Sequence, residues 1–191
     1  MPMSQLTTKD ALLHATGELL ERVGYASFSY RDLAEVVGIR TASIHYYFPT
    51  KEDLGVAWAA WYQETMLSGE IELSVEYPDV RQRLMALARS IATCAGSTEK
   101  SCPISLLQAE YAVLPPRLQK AVRSLIDQRL SILVRWLEIG RREGTFSFKG
   151  SAEIQAQLVW AVMEYGTQLA RSHPARTLPA LVKQLIDNMS S

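Results

Sequence analysis

Apolar residues recur every three or four positions along almost the whole chain, the spacing of helices that pack by one face. From 8 to 23 (TKDALLHATGELLERV), Leu12, Leu13, Leu19, Leu20 and Val23 make one stripe. Thr7 or Thr8 is placed to cap its start, and Gly24 stands where a helix gives way to a left-handed residue. Phe28 then reads as a wedge between this helix and the next. Ser29 is a second cap, with Leu33, Val36 and Val37 on one side of a short helix that Gly38 ends, and Ile39 is expected to be buried behind that turn. A third helix runs from about Thr41 to Phe48 and stops at Pro49, with Ile44 and Phe48 facing the core. Thr50 and Asp53 resemble a capping box and open a fourth helix to about Leu67.

The same periodicity predicts the rest. Pro78 is a break, and Val80 to Cys94 form a helix striped by Leu84, Leu87 and Ile91. Ala95-Gly96-Ser97-Thr98 is a loop. A helix spans Pro103 to about Val113, and a long one runs from Pro116 to Arg142, with Arg141 and Arg142 complementing its C-terminal dipole. Two last helices cover 151 to 171 and 178 to 189. Thr145 to Phe148 alternates like a strand but is too short to matter. The expected fold class is all-α, with about nine helices divided into a three-helix head (1–54) and a helical body (55–191). Within the head, two short helices joined by a Gly turn form a helix-turn-helix, whose second helix fits the major groove of DNA.

From Gly24-Tyr25 through Leu33-Ala34, Gly38, His45-Tyr46-Tyr47-Phe48 and Lys51, the chain resembles the tetracycline-repressor-like (TetR/AcrR) family of bacterial transcription regulators. The resemblance is gapless over roughly residues 8 to 54; beyond it, only length and helical layout agree. The family often has Gly where Ala42 stands and usually Tyr where His45 stands. Ala is the better helix former, so the first departure is benign. The second alters the identity of one phosphate contact.

Chemistry at this end follows from donor type and reach. Arg40, at the entry of the recognition helix, can offer a bidentate fork to guanine or to a phosphate. Thr41 and Ser43 are short enough for close approach to base edges. By resemblance, the His45 position and Lys51 touch phosphates, and Tyr46 or Tyr47 reaches the groove or backbone. The alternative makes Tyr46 and Tyr47 core aromatics, and Arg40 and Lys51 solvated charges. With the cap Ser29, the candidate DNA-contacting set is Ser29, Arg40, Thr41, Ser43, His45, Tyr46, Tyr47 and Lys51.

Composition changes the picture little. A 48% hydrophobic content supports a sizeable core, and 20 basic against 20 acidic residues give a net charge of zero. The local pattern matters more: Val36 to Thr50 holds Arg40 and no carboxylate, while Asp32, Glu35, Glu52 and Asp53 flank it. A small positive face with modest non-specific affinity is expected. Cys94 and Cys102 make no CxxC pair and the three histidines are scattered, so neither metal nor cofactor is expected. No Gly-rich phosphate loop, GxSxG or HExxH suggests an enzyme. No leader or membrane-length apolar run is seen, so a cytoplasmic protein with reduced thiols is expected.

The resemblance further implies a body with a small-molecule pocket and a dimer built from the last two long helices. Candidate pocket residues are Trp58, Trp61, Tyr62, Leu87, Ile91, Leu107, Tyr111 and Trp136, each of which also reads as plain core. Glu110 reads either as a polar anchor for a ligand or as a solvated carboxylate. Leu158, Val162, Tyr165 and Leu169, with Leu181, Leu185 and Met189, are the expected dimer stripes or else monomer core. Cys102 precedes Pro103 at a helix start, where a thiolate is stabilised, so a reactive sensor thiol and an inert one both stand. The expected partners are a palindromic double-stranded operator, a hydrophobic or amphipathic effector and a second copy of the chain. The competing class is a helical small-molecule-binding or protein-interaction module that does not read DNA.

Overall fold

A computed structural model describes residues 7–94, 101–173 and 177–190. The expected loop at Ala95 to Thr98 and the side chain of Cys94 lie outside the described residues. Among those described there are nine α-helices and one short 3-10 turn. In order they are α1 (Thr8–Ser27), α2 (Tyr30–Val37), α3 (Thr41–Tyr47), α4 (Lys51–Glu76), α5 (Val80–Cys94), α6 (Pro103–Ala109), the 3-10 turn Tyr111–Val113, α7 (Pro116–Arg142), α8 (Ala152–Ser172) and α9 (Leu178–Met189). The strand-like Thr145 to Phe148 stretch contributes one isolated bridge, Phe146 to Ser190. No described helix is long and apolar enough to cross a membrane.

The chain forms two compact units. The first takes residues 1–65 together with 103–125, so it is wider than the head read from 1 to 54. In it α1 packs on α2 and α6, and α2 packs on α3. Leu12, Leu20, Leu33, Ile44, Leu54 and Trp58 are all but fully buried. Each such aliphatic side chain contributes about 1.5–3 kcal/mol of burial free energy. The second unit takes residues 66–102 and 126–191; there α5, α8 and α9 pack together.

Several starts are set by side-chain caps. Thr7 accepts from the Asp10 amide at 3.2 Å and opens α1. At Gly24 the backbone turns to φ 78° and ψ 174°, which breaks α1 into its main body and a final turn. Val23 is consequently 46% exposed rather than part of the core, and Tyr25 and Phe28 are buried after the break. The stripe on α2 also differs from expectation. Tyr30, Leu33 and Ala34 face inward, Val36 is exposed and Val37 and Ile39 are half-buried. The inward phenol of Tyr30, bonded to the Phe48 carbonyl at 2.8 Å, rotates that helix face.

Two further helix ends differ from the sequence expectation. Helix α4 continues past Leu67 to Glu76. Ser68 and Gly69 weaken helix propensity there by up to about 1 kcal/mol each, but Glu70 is buried and paired with the equally buried Arg129. Arg83 then caps the end, donating to the Tyr77 carbonyl at 3.0 and 3.1 Å and to the Pro78 carbonyl at 3.2 Å. Helix α6 instead stops early, at Ala109, because Glu110 leaves helical geometry (φ −89°, ψ 3°) and starts the 3-10 turn.

Candidate nucleic-acid interface

Helix α2 is held at its start by a reciprocal capping box. The Ser29 amide and hydroxyl each donate to Asp32 Oδ2 at 2.7 Å, and the Asp32 amide donates back to the Ser29 hydroxyl at 3.4 Å. Those bonds to Ser29 hold the Asp32 carboxyl below its ordinary value of 3.8. Gly38 closes the helix in the left-handed region at φ 75°, its amide donating to the Ala34 carbonyl at 2.9 Å. A side chain there would be strained by that φ, although no neighbour lies within 4 Å of where a Cβ would sit. The turn delivers α3 with Arg40 at its N-cap position.

Of the seven residues in α3, Ile44 alone is buried. It and Phe48, four residues on and 3% exposed, anchor the helix to the first unit. Arg40, Thr41, Ala42, Ser43, His45, Tyr46 and Tyr47 are all exposed. Tyr46 stands 84% exposed and meets Tyr47 edge-to-face at 5.2 Å, so neither ring is core. The structure thus leaves Arg40, Thr41, Ser43, Tyr46 and Tyr47 exposed, and α3 itself carries no carboxylate.

Ser29, His45 and Lys51 take other places. The Ser29 hydroxyl is engaged by the capping box. His45 packs against the Tyr30 ring at 4.8 Å, and its Nδ1 lies 3.2 Å from the Pro49 carbonyl. A carbonyl only accepts, so a hydrogen bond there needs the proton on Nδ1. Lys51 departs furthest from expectation. Its ammonium turns inward to the carbonyls of Tyr25 and Phe28 and lies over both rings, 4.5 and 4.2 Å from their centres. Burial lowers its pKa, opposed by Glu110 and Asp32. Lys51 therefore knits the end of α1 to α4, its ammonium engaged inward instead of held out toward a phosphate.

Residues that sequence reading missed complete the support. Burial, reinforced by Asp53 and Tyr25, pushes the Tyr30 phenol up to about 12. Arg117 donates to Asp53 at 2.7 Å and its amide donates to Glu52 at 2.8 Å, binding α7 to the start of α4. Glu110 is not simply solvated: its Oε2 accepts from the amides of Tyr25 (2.7 Å) and Ala26 (3.2 Å). No local pattern marks any of these partners, because each is far away in sequence.

The other predicted sites are distributed over both units. Trp58, Trp61, Tyr62, Leu107 and Tyr111 belong to the first, where Trp58 stacks on Tyr62 at 4.8 Å and Trp61 meets His14. Leu87, Ile91 and Trp136 belong to the second. There Trp136 lines a cavity of about 420 Å³ with Leu67, Glu70, Ile71, Ile132 and Ile139. On α8, Leu158 and Tyr165 are exposed and Val162 and Leu169 half-buried, whereas on α9 Leu181 and Leu185 are half-buried. Met189 instead is buried in its own unit, with Gln155 Nε2 3.0 Å from its sulfur. Cys102 is half-buried immediately before α6. Among the described residues no cluster of His, Cys, Asp and Glu is arranged to hold a metal.

A capped three-helix head presenting a short, acid-free recognition helix on an all-α chain defines the helix-turn-helix class of DNA-binding proteins. A family model for bacterial regulatory proteins of the tetR family matches residues 12–57. A TetR-family transcriptional regulator from Agrobacterium tumefaciens is 32% identical, covers 96% of this chain and 97% of its own, and superposes with a TM-score of 0.90. The corresponding values for a TetR regulator from Legionella pneumophila are 26%, 97%, 98% and 0.87. The HTH-type transcriptional repressor NemR of Escherichia coli (strain K12) is 28% identical over 94% of each chain. The crystal structure of E. coli NemR in its reduced form superposes with a TM-score of 0.83 over 97% of this chain and 98% of that one, at 21% identity. The chain belongs to the TetR family of bacterial transcription regulators.

Proposed function

We propose that this regulator is a repressor that binds a palindromic operator as a homodimer and is released by a small hydrophobic or amphipathic effector. The observation that carries the reading is the outward face of α3. Arg40, Thr41, Ser43 and Tyr46 stand exposed together, while Ile44 and Phe48 fix the helix from behind. Short side chains at the helix start allow close approach to base edges, and Arg40 adds a bidentate donor. The relative NemR is itself named a transcriptional repressor.

Homodimerisation is supported by α8, where Ile154, Leu158 and Tyr165 are 57%, 51% and 65% exposed at helical spacing. Two recognition helices must lie about 34 Å apart to read successive major grooves, which one chain cannot supply. Effector binding shifts the population toward dimers whose heads no longer match that spacing.

The test is selection of genomic fragments with the purified protein, followed by titration of the selected duplex and a scrambled one across salt. The expected result is a preference for a palindrome by at least about 10³, with affinity falling as salt rises. Equal affinity for both duplexes at physiological salt would leave the competing reading, a helical binding module that does not read DNA.

A further inference from the structure

We propose that Glu110 is a positioning residue for the reading head: its carboxylate, fixed at the end of α6, holds the turn that leads from α1 into α2 and so sets the direction of α3. The inference rests on the DNA-reading function proposed above and adds the element that aims it.

The geometry begins at Gly24. Its φ of 78° interrupts α1, so the amides of Tyr25 and Ala26 begin a new turn and need acceptors from outside the helix ladder. Glu110 supplies one, accepting from Tyr25 at 2.7 Å and from Ala26 at 3.2 Å across 85 and 84 residues of sequence. Such a carboxylate does for this turn what an N-cap side chain does for a helix, with a charge-assisted bond to backbone donors. The approach is close: a Cβ on residue 24 would lie 2.5 Å from Glu110 Oε1 and would push the carboxylate aside, while the φ of 78° by itself favours glycine.

Glu110 is itself held. Its amide donates to the Leu106 carbonyl at 3.0 Å, and its carbonyl accepts from the Val113 amide at 2.9 Å. The carboxylate is therefore carried by the last turn of α6 on one side and the 3-10 turn on the other. The opposite end of the 25–28 turn is gripped by Lys51, whose ammonium meets the carbonyls of Tyr25 and Phe28. Anion at the N–H end and cation at the C=O end match the dipole of the turn. Ser29, the cap of α2, follows directly, so tilting this turn tilts α2 and, through Gly38, α3. A displacement of α6 would reach the head through these two hydrogen bonds as well as through the packing of α6 on α1.

The experiment uses the full-length chain as wild type, Glu110→Ala and Glu110→Gln. It measures amide hydrogen exchange over residues 24–29 in the free protein, and affinity for the selected palindrome and a scrambled duplex. Losing the acceptor should speed exchange at Tyr25 and Ala26 and weaken palindrome binding by about tenfold, with scrambled-duplex affinity within about twofold of wild type. Gln keeps an acceptor oxygen and should recover most of that loss. Unchanged exchange in Glu110→Ala overturns the latch whatever the DNA data. Equal losses on both duplexes, unrescued by Gln, also overturn it, since a merely structural residue behaves that way. Faster exchange in a protein whose wild type does not discriminate the duplexes upholds the latch and removes the DNA-reading function.

Discussion

Arg40 and Lys51 are both basic, yet their surroundings assign them opposite tasks. Arg40 is exposed at the entry of α3 with no carboxylate from Val36 to Thr50 beside it. Arg40→Ala should cost about 1–3 kcal/mol of operator affinity and relax preference at one base position, as read by titration of single-base operator variants. Lys51 spends its ammonium on the Tyr25 and Phe28 carbonyls and lies over their rings. Lys51→Met should lower unfolding free energy by about 1–3 kcal/mol while leaving the slope of log affinity against log salt unchanged. A flatter slope would restore the phosphate contact. Cys102 is half-buried directly before Pro103, the first residue of α6. A thiolate at a helix start is favoured by the dipole of that helix. It is expected to alkylate faster than Cys94, followed by mass spectrometry against pH; the reverse order would remove Cys102 as a sensor.

At the scale of elements, the second unit contains a buried polar contact from which a pH-dependent stability is expected. Glu70 of α4 and Arg129 of α7 are 3% and 5% exposed and paired, with Arg129 also over the Trp160 ring at 5.6 Å. Burial, opposed by Arg129 and Arg135, pushes the Glu70 carboxyl from 4.5 up to about 7. Between those values the unfolded chain has released the proton that the folded chain retains. Stability from this group is thus full below pH 4.5, falls as pH rises through the window and levels off above 7. Glu70→Gln should remove that slope, seen as the wild-type minus variant difference in urea unfolding at about pH 5 and about pH 7.5. A difference that does not change with pH would mean Glu70 stays ionised beside Arg129.

For the whole molecule, the exposed stripe Ile154, Leu158 and Tyr165 on α8 is an apolar face that a second copy would cover. A stable interface buries about 1,600 Å² in total, and a charge in its middle is costly. Leu158→Glu should therefore yield a folded monomer by sedimentation equilibrium, with palindrome affinity reduced to that of a scrambled duplex. A dimer that survives both Leu158→Glu and Tyr165→Glu would place the interface elsewhere. On α9, Leu181 and Leu185 are half-buried, whereas Val182, Ile186 and Met189 are taken up inside their own unit.

For most helices, start and stop were written locally, in caps, prolines and glycines. Val80–Cys94, Pro116–Arg142 and Leu178–Met189 fall where their periodicity and breakers predicted. The helix-turn-helix was legible for the same reason, since Ser29, Gly38, Ile44 and Phe48 act within a few residues of themselves. Tertiary structure alone decided the inward turn of Lys51, the extension of α4 through Glu70 and the reach of Glu110 to the Tyr25 amide. Those outcomes depend on which donor meets which acceptor across tens of residues. A long flexible side chain carries no mark of its partner in sequence, and only the packed chain brings the two within hydrogen-bonding distance.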